Sequence, residues 1–278
     1  MGRATPARAA DGALRIAFID VGQGDAALVT SPTGKTVLID GGPHRSASRL
    51  TAFLRTHIPG PLDLVLLSHR HEDHLGGLGA AVRLIGARLF LDAAEPHPGP
   101  AYAELMATLE AAEVPVRQAT RGRTVDLGGG ALLTLVGPPE PPLRHTRSDV
   151  NANSVVARVT FGAFAVLFAG DAEGATERWL IEQSASPLSA TVLKVAHHGS
   201  AYASGPQWLR AVGATLAIVS VGVANEYGHP DATTLGRIEA SGALVFRTDE
   251  DGDVVMATDG RAVQVTTTRL RAARPGGN

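Results

Sequence analysis

The chain has 278 residues, 44% of them apolar and 19% charged, which is an ordinary globular balance with room for one large two-layer domain or two small ones. Its net charge of −2 carries no basic surplus, so a dedicated nonspecific nucleic-acid binder is disfavoured, whereas an enzyme with a local basic groove is not. There is no cysteine, which excludes disulfides and thiolate metal ligands, and no apolar run approaches the ~20 residues of a membrane span.

In chain order, residues 1–13 hold basic residues but no apolar segment, and are expected as a disordered lead-in rather than a signal peptide. Strand signals follow in LRIAFIDVG, AALVTS and TVLIDGG, joined by the turn-rich GQGD and SPTGK. A helix is predicted over 46–57, stopped by Pro59-Gly60-Pro61. LDLVLLS is a continuous apolar run, suited to a strand buried on both faces, and it leads straight into His69. LGGLGAAVRLIGA reads as a helix, RLFLD as a strand and 101–113 as an amphipathic helix. VPVRQATRGRTVDLGG reads as strand, loop and strand.

The pattern then starts again. ALLTLVGP is a strand, PPEPPLRHTRSDVNAN a proline-rich loop, and SVVARVTFG and FAVLFAGD are paired strands. GATERWLIEQ is a helix, ATVLKVAHHGS a strand running into histidines, GPQWLRAVG a helix and TLAIVSVG a strand. Each half has paired strands, a strand ending in aspartate (Asp40, Asp171), a helix, and an apolar strand ending in histidine (His69, His197). This self-similarity, at a period of about 130 residues, predicts two sheets packed face to face with helices outside. The strand ends of the two halves would meet along one edge. One domain is expected over 14–268, with a flexible tail over 269–278.

The segment SHRHEDHLGG (68–77) carries three histidines and two acids within 69–74. Residues two apart in an extended segment point the same way, so His69 and His71 can aim at one point. Asp73 and His74 lie where the chain turns into a helix and can aim at a neighbouring point. Imidazole and carboxylate ligands suit Zn²⁺, Mn²⁺ or Fe. Two such ions about 3.5–4 Å apart need a shared oxygen ligand. Asp171, ending the matching strand of the other half, is the natural bridge.

HRHEDH resembles the HxHxDH signature of the metallo-β-lactamase fold, an α/β four-layer αββα sandwich of two pseudo-symmetric halves. More narrowly, FIDVGQGDAALV (18–29), LLSHRHEDHLGGL (66–78), SDVNANSVVARV (148–159), LFAGDAE (167–173), LKVAHHGSAYAS (193–204) and YGHPDATTLGRIEASGALVFRTDEDG (227–252) resemble the metallo-β-lactamase-like domain of the ComEC competence proteins. The resemblance spans residues 14–256 and implies the following roles. His69 and His71 would bind one metal, Asp73 and His74 a second, and Asp171 would bridge them. Asp40 would brace the histidine loop from behind, its alternative being a plain Asp-Gly turn. Many members of the wider fold carry a further histidine between the cluster and the bridging aspartate. Here only His97 and His145 lie in that interval, in no supporting motif, so Asp149 is the candidate for the missing ligand, with a loop cap as its alternative. Of His197 and His198, one would touch metal and the other substrate, with His197 placed on metal. His229, in EYGHP, could take either role, or be a turn histidine before proline. Asp73, His198 and His229 form the expected catalytic set. Asn153 and Ser200 would donate to an oxyanion or phosphate, unless they are local caps. DVGQGD (20–25) reads as a tight turn beside the site, with Asp25 structural.

The resemblance implies a hydrolase with two divalent ions (Zn or Mn), and a hydroxide held by them as nucleophile. It points to a phosphodiesterase or nuclease acting on DNA during uptake, leaning on an arginine patch for which Arg144, Arg147 and Arg158 are candidates. A small phosphodiester, a lactone or a thioester is the alternative substrate, and a metal-bound binding module without turnover is the alternative class.

Overall fold

The computed structural model describes residues 12–93, 99–183 and 188–270. Residues 1–11 of the lead-in expected over 1–13, residues 271–278 of the tail expected over 269–278, and His97 lie outside the described residues. The first half contains β1 (Leu14–Phe18), β2 (Ala27–Thr30), β3 (Thr36–Ile39), α1 (Ala47–His57), β4 (Leu64–Leu66), α2 (Glu72–Leu75), α3 (Leu78–Ile85), β5 (Phe90–Asp92), α4 (Pro100–Ala111) and β6 (Val116–Gln118). The second contains β7 (Thr124–Gly128), β8 (Ala131–Leu135), α5 (Asp149–Ala152), β9 (Ala157–Phe161), β10 (Phe164–Phe168), α6 (Gly174–Glu182), β11 (Val192–Lys194), α7 (Pro206–Val212), β12 (Leu216–Val219), α8 (Ala232–Ala240) and β13 (Leu244–Arg247). The chain then adds α9 (Thr248–Asp251), β14 (Val254–Thr258) and β15 (Val263–Thr267).

The strands form two sheets, ordered β15-β14-β1-β2-β3-β4-β5-β6 and β13-β12-β11-β10-β9-β8-β7. Read from β14 and from β7, the two sheets repeat one scheme. Three antiparallel pairings are followed by three parallel ones, so β3 corresponds to β10 and β4 to β11. The duplicated arrangement expected from the sequence is present.

Alternation along each strand builds the layers. In β3, Val37 and Ile39 face the other sheet and Leu38 faces the helices; in β10, Val166 and Phe168 face inward and Ala165 and Leu167 outward. Phe18 and Phe168 stack across the inter-sheet core, with ring centroids 5.8 Å apart. On one outer face α1, α3 and α4 contribute Leu50, Leu54, Val82, Leu105 and Leu109. On the other, α6, α7 and α8 contribute Leu180, Trp208, Leu209 and Ile238. A strand covered on both faces must be apolar throughout, which is why LDLVLLS and FAVLF lack alternation.

Three departures from the sequence expectations stand out, the first two with local causes. The helix expected after the histidine cluster begins only at Leu78. Gly76 and Gly77 precede it, and a Cβ on Gly77 would lie 2.2 Å from the Gly41 carbonyl oxygen, so this stretch packs against the Asp40-Gly41 turn. The proline-rich loop contains α5, whose N-cap Ser148 accepts from Asn151 N. The third departure is the C-terminal hairpin β14–β15, which returns to the first sheet, where Leu14 pairs with Thr258 and Phe18 with Val254. Arg269, expected in the flexible tail, is tied back by hydrogen bonds to Asp20 and to the carbonyls of Thr248 and Asp249.

Candidate metal centre

The centre forms where β3, β4, β10 and β11 end. Asp40 follows β3, Ser68 and His69 follow β4, Asp171 follows β10, and His197 and His198 follow β11. At each end the chain leaves a buried strand and presents polar side chains. The two sheets bring all four ends to one edge.

Asp171 is the hub. Its Oδ2 lies 3.6 Å from His69 Nε2 and 3.6 Å from His197 Nε2. Its Oδ1 lies 3.2 Å from His74 Nε2 and 3.8 Å from His198 Nε2. His71 Nδ1 lies 3.1 Å from His69 Nε2, and Asp73 Oδ2 lies 3.0 Å from His198 Nε2. One carboxylate thus faces two separate sets of donors, one at each oxygen. His69, His74 and Asp171 form one close group, and Asp73, His74 and His198 another. His74 Nε2 and Asp171 Oδ1 are buried without a hydrogen-bond partner. Such orphaned atoms are costly, and a cation between them would satisfy both.

The outer nitrogens fix the rings. His198 Nδ1 lies 2.9 Å from the Ser220 carbonyl oxygen and 3.2 Å from Asp25 Oδ1. His74 Nδ1 lies 2.8 Å from Asp40 Oδ2, and His197 Nδ1 2.9 Å from Glu173 Oε1. Carbonyls and carboxylates only accept, so each Nδ1 donates. Ser68 Oγ donates to Asp40 Oδ2 at 2.7 Å and is therefore free to accept from His69 Nδ1 at 3.1 Å. All four imidazoles thus turn Nε2 toward the centre, the arrangement that makes neutral histidine a metal ligand. Backbone strain supports this reading. His197 and His198 have φ of 49° and 52°, in the left-handed region, and such strain clusters at functional sites.

The charges agree. Burial would raise the Asp171 carboxyl, but His74, His198 and His69 hold it well below the usual range. Burial would lower His74, yet Asp171, Asp40 and Asp73 push it well above the usual value. His198 behaves alike: burial opposes its charge, and Asp171 and Asp25 raise it to about 10. The buried carboxylates therefore draw two positive charges onto the imidazoles. A divalent cation would supply that charge in place of the protons.

Residues 19–223 match the family model described as the metallo-beta-lactamase superfamily. The chain belongs to that superfamily. It is similar to competence protein ComA of Neisseria gonorrhoeae (29% identity over 84% of this chain and 30% of that protein). It is also similar to ComE operon protein 3 of Bacillus subtilis strain 168 (25% identity over 85% of this chain and 32% of that protein). The chain thus spans about a third of the length of these curated relatives. Among solved structures, the metallo-beta-lactamase fold protein YhfI of Bacillus subtilis superposes with a TM-score of 0.56 at 14% identity, covering 88% of this chain and all of that one.

Against this superfamily frame, several expected site residues fall elsewhere. Asp149 accepts from Thr146 N and Oγ1 and from His145 N, so its carboxylate caps the loop before α5, and it is the loop-cap alternative that the contacts match. Asn153 bonds to both backbone groups of Leu143 and to the Asp149 carbonyl, which commits its amide to the same loop. Asn151, two residues earlier, instead reaches the outer side of the centre, with Nδ2 3.5 Å from His197 Nδ1. Ser200 accepts from Tyr202 N and serves as a turn residue. His198, expected on substrate, and His197, expected on metal, both point at Asp171, one at each oxygen. His229 sits at the rim, its ring 5.4 Å from that of His197. Burial and the neighbouring His197 and His198 lower it to about 4, so it is neutral at neutral pH. Of the arginines, Arg147 pairs with Glu173 at 2.7 Å and Arg158 donates to the Ser189 carbonyl.

Three supporting residues, Ser68, Glu173 and Lys194, had no assigned role in the sequence, and a fourth, Asp25, was expected only as a structural residue of its turn. All four contact the imidazoles or their partners. Lys194 Nζ lies 2.7 Å from Asp25 Oδ2, both side chains being buried. Burial would raise Asp25, but Lys194 and His198 bring it down to about 2. The turn before it is pressed against the histidine loop: Asp25 N donates to the Asp73 carbonyl, and a Cβ on Gly24 would lie 2.3 Å from that oxygen.

Proposed function

We propose that the protein is a phosphodiesterase using two divalent cations, with DNA as the favoured substrate class. The observation that carries this reading is the Asp171 carboxylate with two imidazoles at each oxygen. His69, His71, His197 and Asp171 Oδ2 would hold one ion. Asp73, His74, His198 and Asp171 Oδ1 would hold the other. His197 takes the place for which Asp149 was the candidate. Bound there, divalent ions supply Lewis acidity, acidifying water and taking up negative charge on the attacked group.

The chain's own residues do the rest. Asp40, Ser68, Glu173, Asp25 and the Ser220 carbonyl keep each Nε2 aimed inward. His229, neutral at the rim and with its Nδ1 buried and unpartnered, is placed to contact a phosphate oxygen or leaving group. The competence names of the relatives and the implied action on DNA during uptake support DNA over a lactone. Among the described residues no helix is long and apolar enough to cross a membrane.

The test is digestion of labelled single- and double-stranded DNA beside bis(p-nitrophenyl) phosphate and a lactone, with Mn²⁺ or Zn²⁺ added. Phosphodiester cleavage abolished by chelator is expected. Lactone hydrolysis with no phosphodiester cleavage under any metal would overturn the reading. A pair of variants divides the histidines: His198→Ala should lower metal content, whereas His229→Ala should keep the metal and lower turnover.

A further inference from the structure

The chain has three tyrosines, and two are largely exposed: Tyr202 at 59% and Tyr227 at 63%. Each packs against a residue that leads to the metal centre. The Arg147 guanidinium carbon lies 3.8 Å from the Tyr202 ring centroid. Arg147 pairs with Glu173, and Glu173 holds His197. The Tyr227 ring stacks on His229 at 5.9 Å and 28°, and His229 packs edge-on against His197 at 5.4 Å. His197 is therefore linked to each exposed tyrosine by a separate path. The third tyrosine, Tyr102, is committed differently: its hydroxyl bonds to Asp92 in the cleft beside His69.

A surface tyrosine loses little by swinging freely into water. These two are each held by a ring contact and still remain more than half exposed. A ring fixed in orientation beside a phosphate site loses little further entropy when a planar group stacks on its free face. Base–aromatic stacking needs that geometry and tolerates any base, since every base has a π-face. A duplex offers no such face, because its bases are already stacked. We infer that Tyr202 and Tyr227 are stacking platforms for unpaired nucleobases flanking the phosphodiester at the centre, and so determine substrate specificity. For its substrate this rests on the phosphodiesterase reading.

The test uses metal-free protein at low salt, a single-stranded oligothymidylate carrying 5-iodouracil, and an abasic strand of equal length. Photo-cross-links should map to Tyr202 and Tyr227 by mass spectrometry. The affinity ratio of thymidylate to abasic strand should fall roughly 5- to 100-fold in Tyr202→Ala or Tyr227→Ala. Tyr202→Phe and Tyr227→Phe keep the ring and should keep the ratio, which separates stacking from loss of the fold. Cross-links confined to other residues, such as Trp179, or alanine variants with the wild-type ratio would overturn the inference. Cleavage of phosphodiesters without base discrimination sinks the platforms and leaves the function standing. Base discrimination and cross-linking without cleavage sinks the function and leaves the platforms as a binding surface.

Discussion

Replace Asp40 with alanine and three buried hydrogen bonds vanish together. Its Oδ1 accepts from Ser68 N at 2.7 Å, and its Oδ2 from Ser68 Oγ at 2.7 Å and His74 Nδ1 at 2.8 Å. Each stranded donor costs about 1–3 kcal/mol, and because the three share one network the total is about 3–5 kcal/mol. In a chain of this size that lowers Tm by roughly 6–20 °C. Asp40 also sits at φ 59°, where alanine is disfavoured and asparagine is tolerated. Asp40→Asn therefore isolates the second effect. Its amide oxygen can still accept from Ser68 N, but its NH₂ meets His74 Nδ1–H, donor against donor. His74 must then drop that bond or move its proton to Nε2, which blocks the face turned to the centre. A smaller fall in Tm than in the alanine variant, with a 10- to 100-fold loss of metal affinity, is expected. Thermal denaturation of metal-free protein and calorimetric titration with Zn²⁺ measure the two effects. An alanine variant within about 2 °C of the parent, with undiminished metal affinity, would show that Asp40 is only a turn residue.

Asp171→Ala should bring hydrolysis to background and cut metal uptake while near-native circular dichroism is kept; turnover close to wild type would make Asp171 merely the end of a strand. Lys194→Met removes the ammonium beside the buried Asp25 carboxylate and leaves His198 as its facing positive group, so a loss of up to about 3–5 kcal/mol is expected in urea denaturation, and an unchanged midpoint would show that the Lys194–Asp25 pair contributes nothing. Glu177, buried in α6 and accepting from Ser204 N and Gly205 N, is pushed by burial from the ordinary 4.5 up to about 7. Between those pH values the folded protein holds a proton that the unfolded chain has released, so stability falls as pH rises through this window, by roughly 3 kcal/mol. Glu177→Gln should flatten that part of the stability–pH curve, and an unaltered slope would show that Glu177 is not its source.

The residues most legible in the sequence are those tied to strand ends. A strand buried on both faces is mostly apolar until it stops, so a polar residue after the run marks the edge: Asp40 after Ile39, Ser68 and His69 after Leu67, Asp171 after Ala169-Gly170, and His197 after Ala196, although β11 already carries the buried Lys194. The histidine spacing and the two halves then implied a shared centre. The supporting residues were illegible for a physical reason. Asp25 meets Lys194 and His198 across most of the chain, and a single carboxylate in a Gly-rich turn looks the same whether or not it has such a partner. Asn153 and Asn151 lie two residues apart in one helical turn, where facing depends on a local cap that composition does not reveal. The β14–β15 hairpin has alternation around an Asp-Gly turn. Which sheet it would join is set by β1, nearly a domain length away, and no local pattern carries that.

That pairing has a consequence for a chain still being made. β1 leaves the ribosome well over 200 residues ahead of its outer neighbour β14, since Leu14 pairs with Thr258 and Phe18 with Val254. Until then β1 is an open edge, able to pair with the same strand of another copy. The delay also reaches the chemistry. Asp253, at the entry to β14, accepts from Asp20 N at 2.8 Å and from Arg49, and Asp20 begins the turn that delivers Asp25 to His198. A product stopped near residue 252 would hold every metal-facing side chain and still lack the seal behind that turn. Such fragments should accumulate as inactive, self-associating species, and competence should arrive only once translation has passed residue 258.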